Sequence, residues 1–195
     1  MKKLLSAAAL LCIAGTASAN LIVNGSFENP NVTAGQGWGL FPSITGWTAT
    51  GASPIEIGAG AIYGVTGYDG LQVMEMDSTG NAMVQQVVGA SGALNLSFLY
   101  AQRAGVSTSS GSFEVFWNTV LVASFAPTST AMTLYSTTVF GNGGNNALAF
   151  VGTGTPDQLG AILDNVKLQV PDGGLTAMLL GMGVLGLGWV RRIVK

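Results

Sequence analysis

The chain of 195 residues is 48% hydrophobic and only 8% charged, with 29 glycines and a formal net charge of −2. The length suffices for one globular domain, and the composition excludes both a disordered, highly charged chain and a basic nucleic-acid-binding protein. The sequence has no histidine, which excludes histidine-based catalysis and histidine-ligated metal sites. The single cysteine, Cys12, lies in a segment that we expect to be removed, so the mature protein has no disulfide or thiolate site.

The N-terminus has the three parts of a secretory signal peptide. Lys2 and Lys3 form a positive region, residues 4–14 are apolar, and residues 17–19 form a small-residue cleavage site. An uncleaved membrane anchor would need a longer apolar span of about 20 residues. We therefore expect a signal peptide over residues 1–19, cleavage after Ala19, and an exported mature protein.

Residues 20–169 have the pattern of one all-β domain. Leu94, Leu96, Phe98 and Tyr100 alternate with smaller or polar residues, which predicts a half-buried strand. A hairpin is predicted from residues 112–117 and 120–125, and further strands are predicted near residues 21–24, 44–50, 70–77, 82–88, 131–140, 146–151 and 161–168. Glycine-rich stretches such as residues 141–144 are expected to separate them. About ten short strands predict a β-sandwich.

The charges of this domain are few and mostly acidic. Residues 20–170 contain two basic residues, Arg103 and Lys167, and eight acidic ones, which gives a net charge near −6. The acidic residues are Glu28, Glu56, Asp69, Glu75, Asp77, Glu114, Asp157 and Asp164. This charge disfavours nucleic acid and anionic lipid as partners of the domain.

Short motifs along the domain resemble those of galactose-binding-like jelly rolls. Residues 20–28 (NLIVNGSFE) are similar to the opening of these domains, which include carbohydrate-binding module family 4, and residues 162–166 (ILDNV) resemble their closing strand. Between them, residues 44–47 (ITGW) and 69–72 (DGLQ) follow the order of the plant cell-wall family called domain of unknown function 642. The resemblance implies a jelly-roll β-sandwich that binds polysaccharide and is not an enzyme.

Without histidine and cysteine, catalysis would depend on carboxylates, as in glycoside hydrolysis. Glu75 and Asp77 share one face of a predicted strand, about 7 Å apart by the strand rise. We expect such a pair to be a solvated strand edge rather than a catalytic pair.

Asp164 has the same strand parity as the apolar Ile162, Val166 and Leu168, which predicts a carboxylate on the core face. A buried carboxylate needs a metal, another cation or backbone N–H donors. The family resemblance implies one calcium ion held by Glu28 and Asp164, and carboxylate oxygens suit calcium. The alternatives are a hydrogen-bonded aspartate at a bulge and a pair with Lys167 or Arg103.

Aromatic residues are concentrated between residues 37 and 70, where the strand pattern is weakest. Trp38, Tyr63 and Tyr68 are the candidate ligand-binding residues, because loop aromatics are suited to binding glycans. For Trp47, its place in the family motif favours the core. Arg103 is expected to pair with Glu56 or Glu75 rather than to contact a ligand.

The C-terminal residues 170–195 have three parts. Residues 170–174 (VPDGG) form a turn motif, residues 175–190 are uncharged and apolar or small, and Arg191 and Arg192 follow them. Sixteen helical residues span only about 24 Å, but the basic cluster beside Trp189 favours insertion into the membrane. We predict a transmembrane helix over residues 175–190; the alternative is a helix buried within the fold.

The order of these three parts resembles the PEP-CTERM sorting signals of Gram-negative bacteria, in the VPDSG variant. The resemblance implies that an exosortase-type membrane protease recognises the motif residues Pro171, Asp172, Gly173 and Gly174, with Arg191 and Arg192 as the membrane stop. It implies a protein anchored in the inner membrane before processing and then moved to the cell surface or extracellular matrix.

The sequence as a whole predicts an exported, exosortase-sorted β-sandwich that binds polysaccharide weakly. A structural matrix protein without a specific ligand is the main alternative, and a carboxylate-dependent glycosidase is the third hypothesis.

Overall fold

A computed structural model describes residues 19–81 and 83–171 of the chain. Residues 1–18 of the predicted signal peptide lie outside this range, as do Asp172, Gly173, Gly174, the predicted helix 175–190, Arg191 and Arg192. Ala19–Pro171 form one compact unit. Within the described ranges, no helical segment has the length and apolar character that crossing a bilayer requires.

The described residues form an almost entirely β structure, which confirms the predicted fold class. Its ten strands are β1 (Trp38–Phe41), β2 (Ser43–Ile44), β3 (Trp47–Ala49), β4 (Ile55–Ala59), β5 (Gln72–Glu75), β6 (Met83–Gln102), β7 (Phe113–Trp117), β8 (Val120–Phe125), β9 (Thr133–Gly152) and β10 (Ala161–Gln169). A 3-10 helix over Gly60–Tyr63 follows β4.

Strands β6 and β9 are twenty residues long and run antiparallel to each other along their whole length. We predicted two shorter strands in place of each, and this was wrong because the glycine-rich stretch 141–144 continues the ladder. Ala90 pairs with Gly144 and Ser91 with Asn142, so Gly143 is an extra residue in a bulge. Its φ of 85° is a conformation that glycine adopts without strain.

The two long strands take part in both layers of a β-sandwich. The first layer contains β1, β4, β5, β10, the C-terminal half of β6 and the N-terminal half of β9. The second layer contains β2, β3, the N-terminal half of β6, the C-terminal half of β9, β7 and β8. Side chains of the two layers meet between them: the rings of Phe98 and Phe150 lie edge to face, 5.1 Å apart. All ten strands belong to one continuous, curled sheet, and this arrangement is the predicted jelly-roll sandwich.

The core between the layers is aromatic and aliphatic. Trp47 is 1% exposed and packs on Phe27 and Phe150, so its predicted place in the core is confirmed. Each fully buried side chain of this size contributes about 2 kcal/mol through apolar burial.

The segment predicted as a first strand at residues 21–24 is a series of turns. Asn20 forms an isolated bridge with Gln169, and Asn24 and Phe27 then take left-handed conformations with φ of 53° and 55°. The segment is fixed to β10 by two backbone hydrogen bonds, from Leu21 N–H to Leu168 O and from Val166 N–H to Gly25 O, both 2.8 Å long.

We expect Gly25→Ala to lower the free energy of unfolding by about 2 kcal/mol or more, since its Cβ would collide with the carbonyl group of Val166. Gly89→Ala is the matched control, because Gly89 is exposed in β6 and a Cβ there meets nothing within 4 Å. Urea unfolding of the two variants measures the difference. Equal stabilities would show that the N-terminal segment is not fixed tightly to β10.

Candidate functional site

A pocket of about 520 Å³ lies on the outer face of the first layer, the face opposite the core. Trp38 and Leu40 of β1 and Ile62 of the 3-10 helix form its apolar side. Glu56 of β4 lies in the wall together with Arg103, which follows β6 directly. The remaining lining comes from loops: Gln36, Ser78, Thr79 and Gln158, with Tyr63 of the 3-10 helix.

Two carboxylates lie side by side beneath the wall of the pocket. Glu56 of β4 is directly opposite Glu75 of β5 in the antiparallel ladder, so both side chains leave the same face of the sheet. Glu56 is 9% exposed and Glu75 is fully buried. Two acids in such a position repel each other unless hydrogen bonds, a cation or a proton compensate.

Arg103 supplies the compensating charge. Its guanidinium lies 3.7 Å from Glu75 Oε1, donates to the carbonyl oxygen of Gln158 over 3.2 Å and stands 5.0 Å from the centre of the Tyr63 ring. The expected pairing of Arg103 with an acidic residue of this face is therefore confirmed. The guanidinium contacts three partners, and these contacts fix the position of Arg103 in the pocket wall.

Burial shifts the acid–base properties of this group. Burial raises the pKa of Glu75 to about 7, and the charge of Glu56 raises it further, while backbone N–H groups of Asp77 and Gly160 and the charge of Arg103 oppose the shift. Burial also raises the pKa of Glu56, and the hydrogen bond from the Tyr63 hydroxyl opposes that shift. Glu75 therefore changes charge near neutral pH.

Asp77 holds a loop against the same end of the sheet. Its Oδ2 accepts the backbone N–H groups of Asp157 and Gln158 over 2.8 and 2.9 Å. Both Glu75 and Asp77 are 0% exposed, so our prediction that they form a solvated strand edge was wrong. The reason is that Arg103 and the loop 157–160 lie against these two carboxylates, and the pattern of a single strand does not indicate such contacts.

The three candidate aromatic residues occupy different positions. Trp38 is 39% exposed at the pocket and is available to a ligand. Tyr63 lines the pocket but is 2% exposed, and its hydroxyl donates to Glu56 Oε1 over 2.8 Å. Tyr68 does not line the pocket; it packs on a small apolar cluster that contains Val65 and Ile162. The structure thus brings Trp38 and Tyr63 together and leaves Tyr68 in a packing position.

Glu28 and Asp164 meet at a second place on this face, around the loop 69–72. Glu28 Oε1 accepts the backbone N–H groups of Leu71 and Gln72 over 2.7 and 2.8 Å. Asp164 Oδ2 accepts the N–H of Asp69 over 2.6 Å, and Oδ1 accepts that of Asn165. Burial raises the pKa of Asp164 to about 7, and the nearby charges of Asp69 and Glu28 also raise it, against the two hydrogen bonds.

The strand parity that we assumed for Asp164 does not hold. Asp164 pairs with Leu99 and Lys167 with Ser97, so β10 contains one extra residue at a bulge, where Asn165 has a φ of 49°. The bulge reverses the alternation: Leu163, Val166 and Leu168 belong to the main core, whereas Ile162 belongs to the outer cluster. Asp164 is thus a buried aspartate at a bulge whose two oxygens accept backbone N–H groups, and such an aspartate was one of the alternatives that the sequence left open.

Sequence reasoning missed the polar loop residues of the pocket. Ser78, Thr79 and Gln158 come from two loops whose meeting depends on strand order, and no local pattern marks them. The pairing of Glu56 with Glu75 is likewise a matter of ladder register. The described residues contain no group of three or more His, Cys, Asp or Glu side chains arranged to hold a metal.

The C-terminal motif has a clear match among known families. Residues 169–194 match the VPDSG-CTERM motif. The predicted type of sorting signal is therefore confirmed, with Gly173 in place of the serine of the motif. The motif indicates a secreted, surface-sorted protein.

The domain itself is similar to segments of two large curated proteins. It is 36% identical over 151 residues to the Multifunctional-autoprocessing repeats-in-toxin of Vibrio cholerae serotype O1, and 34% identical over 155 residues to the protein of the same name from Vibrio vulnificus. These matches cover 75% and 77% of this chain. The chain spans only 3% of the length of each of these relatives.

Solved structures with a similar arrangement include two family 35 carbohydrate-binding modules. The module from Clostridium thermocellum has a TM-score of 0.41 and 18% identity, covering 63% of this chain and 87% of that chain. The module from Paenibacillus barcinonensis has a TM-score of 0.39 and 20% identity, covering 69% and 94%.

The ion pair of Arg103 and Glu75 should stabilise the fold more at high pH. The folded-state pKa of Glu75, about 7, lies above its ordinary value of 4.5, so the folded protein loses stability as pH rises through this window while Glu75 ionises. Arg103 opposes that loss only when Glu75 is charged. We therefore expect Arg103→Met to destabilise the protein by about 2 kcal/mol or more at pH 8 and by clearly less at pH 5.

Urea unfolding at both pH values, with a chelator present, measures this difference. Lys167→Met is the matched control, since Lys167 is a partly exposed basic residue of β10. A loss of stability that is the same at pH 5 and pH 8 would contradict the role of Arg103 as the partner of an ionising Glu75.

Proposed function

We propose that this chain is an exported cell-surface protein that binds polysaccharide weakly through the pocket on the outer face of the first layer. The observation that carries the proposal is the composition of that pocket. A half-exposed indole, Trp38, lies beside the apolar Leu40 and Ile62 and faces hydrogen-bonding side chains. Sugars combine apolar C–H faces with hydroxyl groups, and aromatic rings with nearby polar groups suit both.

The charges around the pocket favour a neutral glycan. Arg103 is engaged with Glu75, Gln158 and Tyr63, whereas Glu56 lies in the pocket wall. An acidic sugar would bring a carboxylate towards Glu56 in a domain that is already negative, and like charges placed together cost affinity. We therefore propose a neutral polysaccharide as the ligand class.

Trp38→Ala should weaken glycan binding by about tenfold or more, which corresponds to about 1.4 kcal/mol, because the variant removes the stacking surface. Phe140→Ala is the matched control: Phe140 is an aromatic residue of β9, 69% exposed and not among those lining the pocket. A glycan array identifies the ligand, and titration calorimetry compares the variants. If the unchanged protein binds no glycan, the structural matrix protein becomes the better hypothesis.

A carboxylate-dependent glycosidase finds less support in this geometry. Hydrolysis needs two carboxyl groups that reach the glycosidic bond from two sides. Glu56 lines the pocket, but its neighbour Glu75 has no exposed surface and is held by Arg103 and by the backbone N–H groups of Asp77 and Gly160. We therefore propose binding without hydrolysis.

We propose that an exosortase processes the VPDSG-CTERM motif after export. The helix predicted at residues 175–190 would hold the protein in the inner membrane until the protease acts near Pro171 and Asp172. Pro171 directly follows the last strand and Val170, so a cut there would leave the sandwich complete. The proposed mature domain extends from residue 20 to about residue 170.

The surface form of the protein should therefore lack both ends of the chain. Intact-mass measurement of protein released from the cell surface should give a mass that corresponds to cleavage after Ala19 and close to Pro171. The same measurement in a host without the exosortase is the control, and there residues 175–195 should remain. A surface form that keeps these residues in the exosortase-containing host would contradict the proposal.

We also propose that Glu28 and Asp164 hold one calcium ion. Both carboxylates accept backbone N–H groups of the loop 69–72, and the negative charges of Asp69 and Glu28 act on Asp164. Hard carboxylate oxygens of this kind suit calcium. The ion would relieve the repulsion between the acids and fasten the first turn of the chain to β10. Asp164→Asn should lose this ion in a calorimetric titration with calcium, and an unchanged number of bound ions in that variant would contradict the proposal.

A further inference from the structure

Three buried side-chain oxygen atoms of the described residues have no hydrogen-bond partner: Asp77 Oδ1, Asn81 Oδ1 and Gln102 Oε1. Buried polar atoms in native proteins are nearly always paired, so each of these atoms needs a partner that is not a protein group. All three are acceptors. The partner must therefore be a cation or a hydrogen-bond donor such as water.

Two of these oxygen atoms come from residues that are directly opposite each other. Asp77 and Asn81 form an isolated antiparallel bridge across the short loop 78–80, so their side chains leave the same side of the ribbon. Asp77 is 0% exposed, and its Oδ2 is occupied by the backbone N–H groups of Asp157 and Gln158. The unpaired Oδ1 is thus held in a fixed orientation.

The amide of Asn81 is also oriented by a hydrogen bond. Its Nδ2 donates to the carbonyl oxygen of Gly154 over 2.9 Å, which assigns the other end of the amide to the unpaired Oδ1. A main-chain oxygen lies close to it: a Cβ added to Gly152 would stand 3.1 Å from Asn81 Oδ1 and 2.6 Å from Met76 O. The main chain at Gly152 thus packs closely against Met76 O and Asn81 Oδ1, and this close packing holds the two oxygen atoms in place.

The surroundings of these oxygen atoms are negative. Glu56, Glu75 and Asp77 lie together at this end of the first layer, and Arg103 is the basic residue paired with them. Carboxylate, amide and carbonyl oxygens are the ligands that calcium takes in proteins, usually completed by water. A water molecule alone would satisfy the unpaired oxygens but would leave the excess negative charge.

We propose that Asp77 Oδ1 and Asn81 Oδ1 are ligands of a calcium ion at a site distinct from Glu28 and Asp164. The ion would close the loop 78–80 and fix Asp77 against loop 157–159. Ser78, Thr79 and Gln158 of these two loops line the pocket, so the ion would also hold one wall of the pocket in place. The site depends on the unpaired oxygens and not on the nature of the pocket's ligand.

The test is a calorimetric titration of the full chain in mild detergent with calcium alone, with thermal melts in calcium and in chelator. We expect two ions for the unchanged protein and one for Asp77→Asn. In that variant the new Nδ2 can donate to Asn81 Oδ1, so we expect it to fold without the ion and to lose the part of the calcium-dependent rise in Tm that this site supplies, about 5 °C. Asn81→Asp loses the hydrogen bond from Nδ2 to Gly154 O and adds a second carboxylate. We therefore expect it to be less stable than the unchanged protein in chelator and to bind calcium at this site about tenfold more tightly, which tests the proposal independently of Asp77.

Asp157→Asn is the matched control. Asp157 belongs to the same loops, and its Oδ2 accepts a hydrogen bond from the Ser110 hydroxyl. Removing this carboxylate should leave both ions bound. Loss of one ion in Asp164→Asn supports the Glu28 and Asp164 site, and an unchanged count in that variant refutes only that site. An unchanged count in Asp77→Asn together with unchanged affinity in Asn81→Asp would overturn the present proposal in favour of a buried water. Equal losses in Asp77→Asn and Asp157→Asn would overturn it in favour of non-specific attraction by the negative domain.

Discussion

Carboxylates that accept backbone N–H groups of loops hold the outer face of this protein together, and three of the four carboxylates are buried. Glu28 and Asp164 hold the loop 69–72, and Glu75 and Asp77 hold the loop 157–160. A carboxylate that accepts backbone N–H groups makes a charge-assisted hydrogen bond, which is stronger than a neutral one. The domain has no disulfide and only two basic residues, so hydrogen bonds to these four acids fix the loops to the sheet, as cross-links or salt bridges do in other proteins.

The pocket is a consequence of this arrangement. The first layer has its apolar core on one side, and the loops fixed by the acids cover part of its other side. Where the cover ends, Trp38 of β1 and Ile62 of the 3-10 helix face the loop residues Ser78 and Gln158 across a concave space. The pocket therefore depends on the same hydrogen bonds that give the domain its stability, and changes at Glu75 or Asp77 affect both.

The sequence predicted much of the fold because its signals there are local. Alternation at residues 94–100 and the hairpin at residues 112–125 gave strands that the structure contains. The sorting motif was recognisable for a related reason: its parts follow one another along the chain. Strands β1 and β4 were not predicted. The continuity of β6 and β9 was also missed, because glycine-rich stretches indicate turns in most chains and here continue a ladder that bends between two layers.

The candidate site was less predictable because its residues meet through strand register and loop position. The bulge at Asp164 shows how little is needed: one extra residue in β10 moves a carboxylate from the core face to the outer face and turns Val166 inward. Period-two reasoning assumes an unbroken ladder, so it fails at the residues where the ladder is interrupted. At an interrupted ladder a side chain can also be redirected towards a loop. The wrong prediction of the face therefore concerned Asp164, a candidate site residue that binds the loop 69–72.

The low number of basic residues gives this arrangement its chemical character. An acid that is buried next to another acid is stable only if N–H groups, a cation or a proton offset the repulsion. Burial, and after it the charges of neighbouring acids, raises the pKa of Glu75 and of Asp164 to about 7, so N–H groups and one arginine offset only part of these costs. The two proposed calcium ions would offset the rest, because each would bring positive charge to oxygen atoms of these loops.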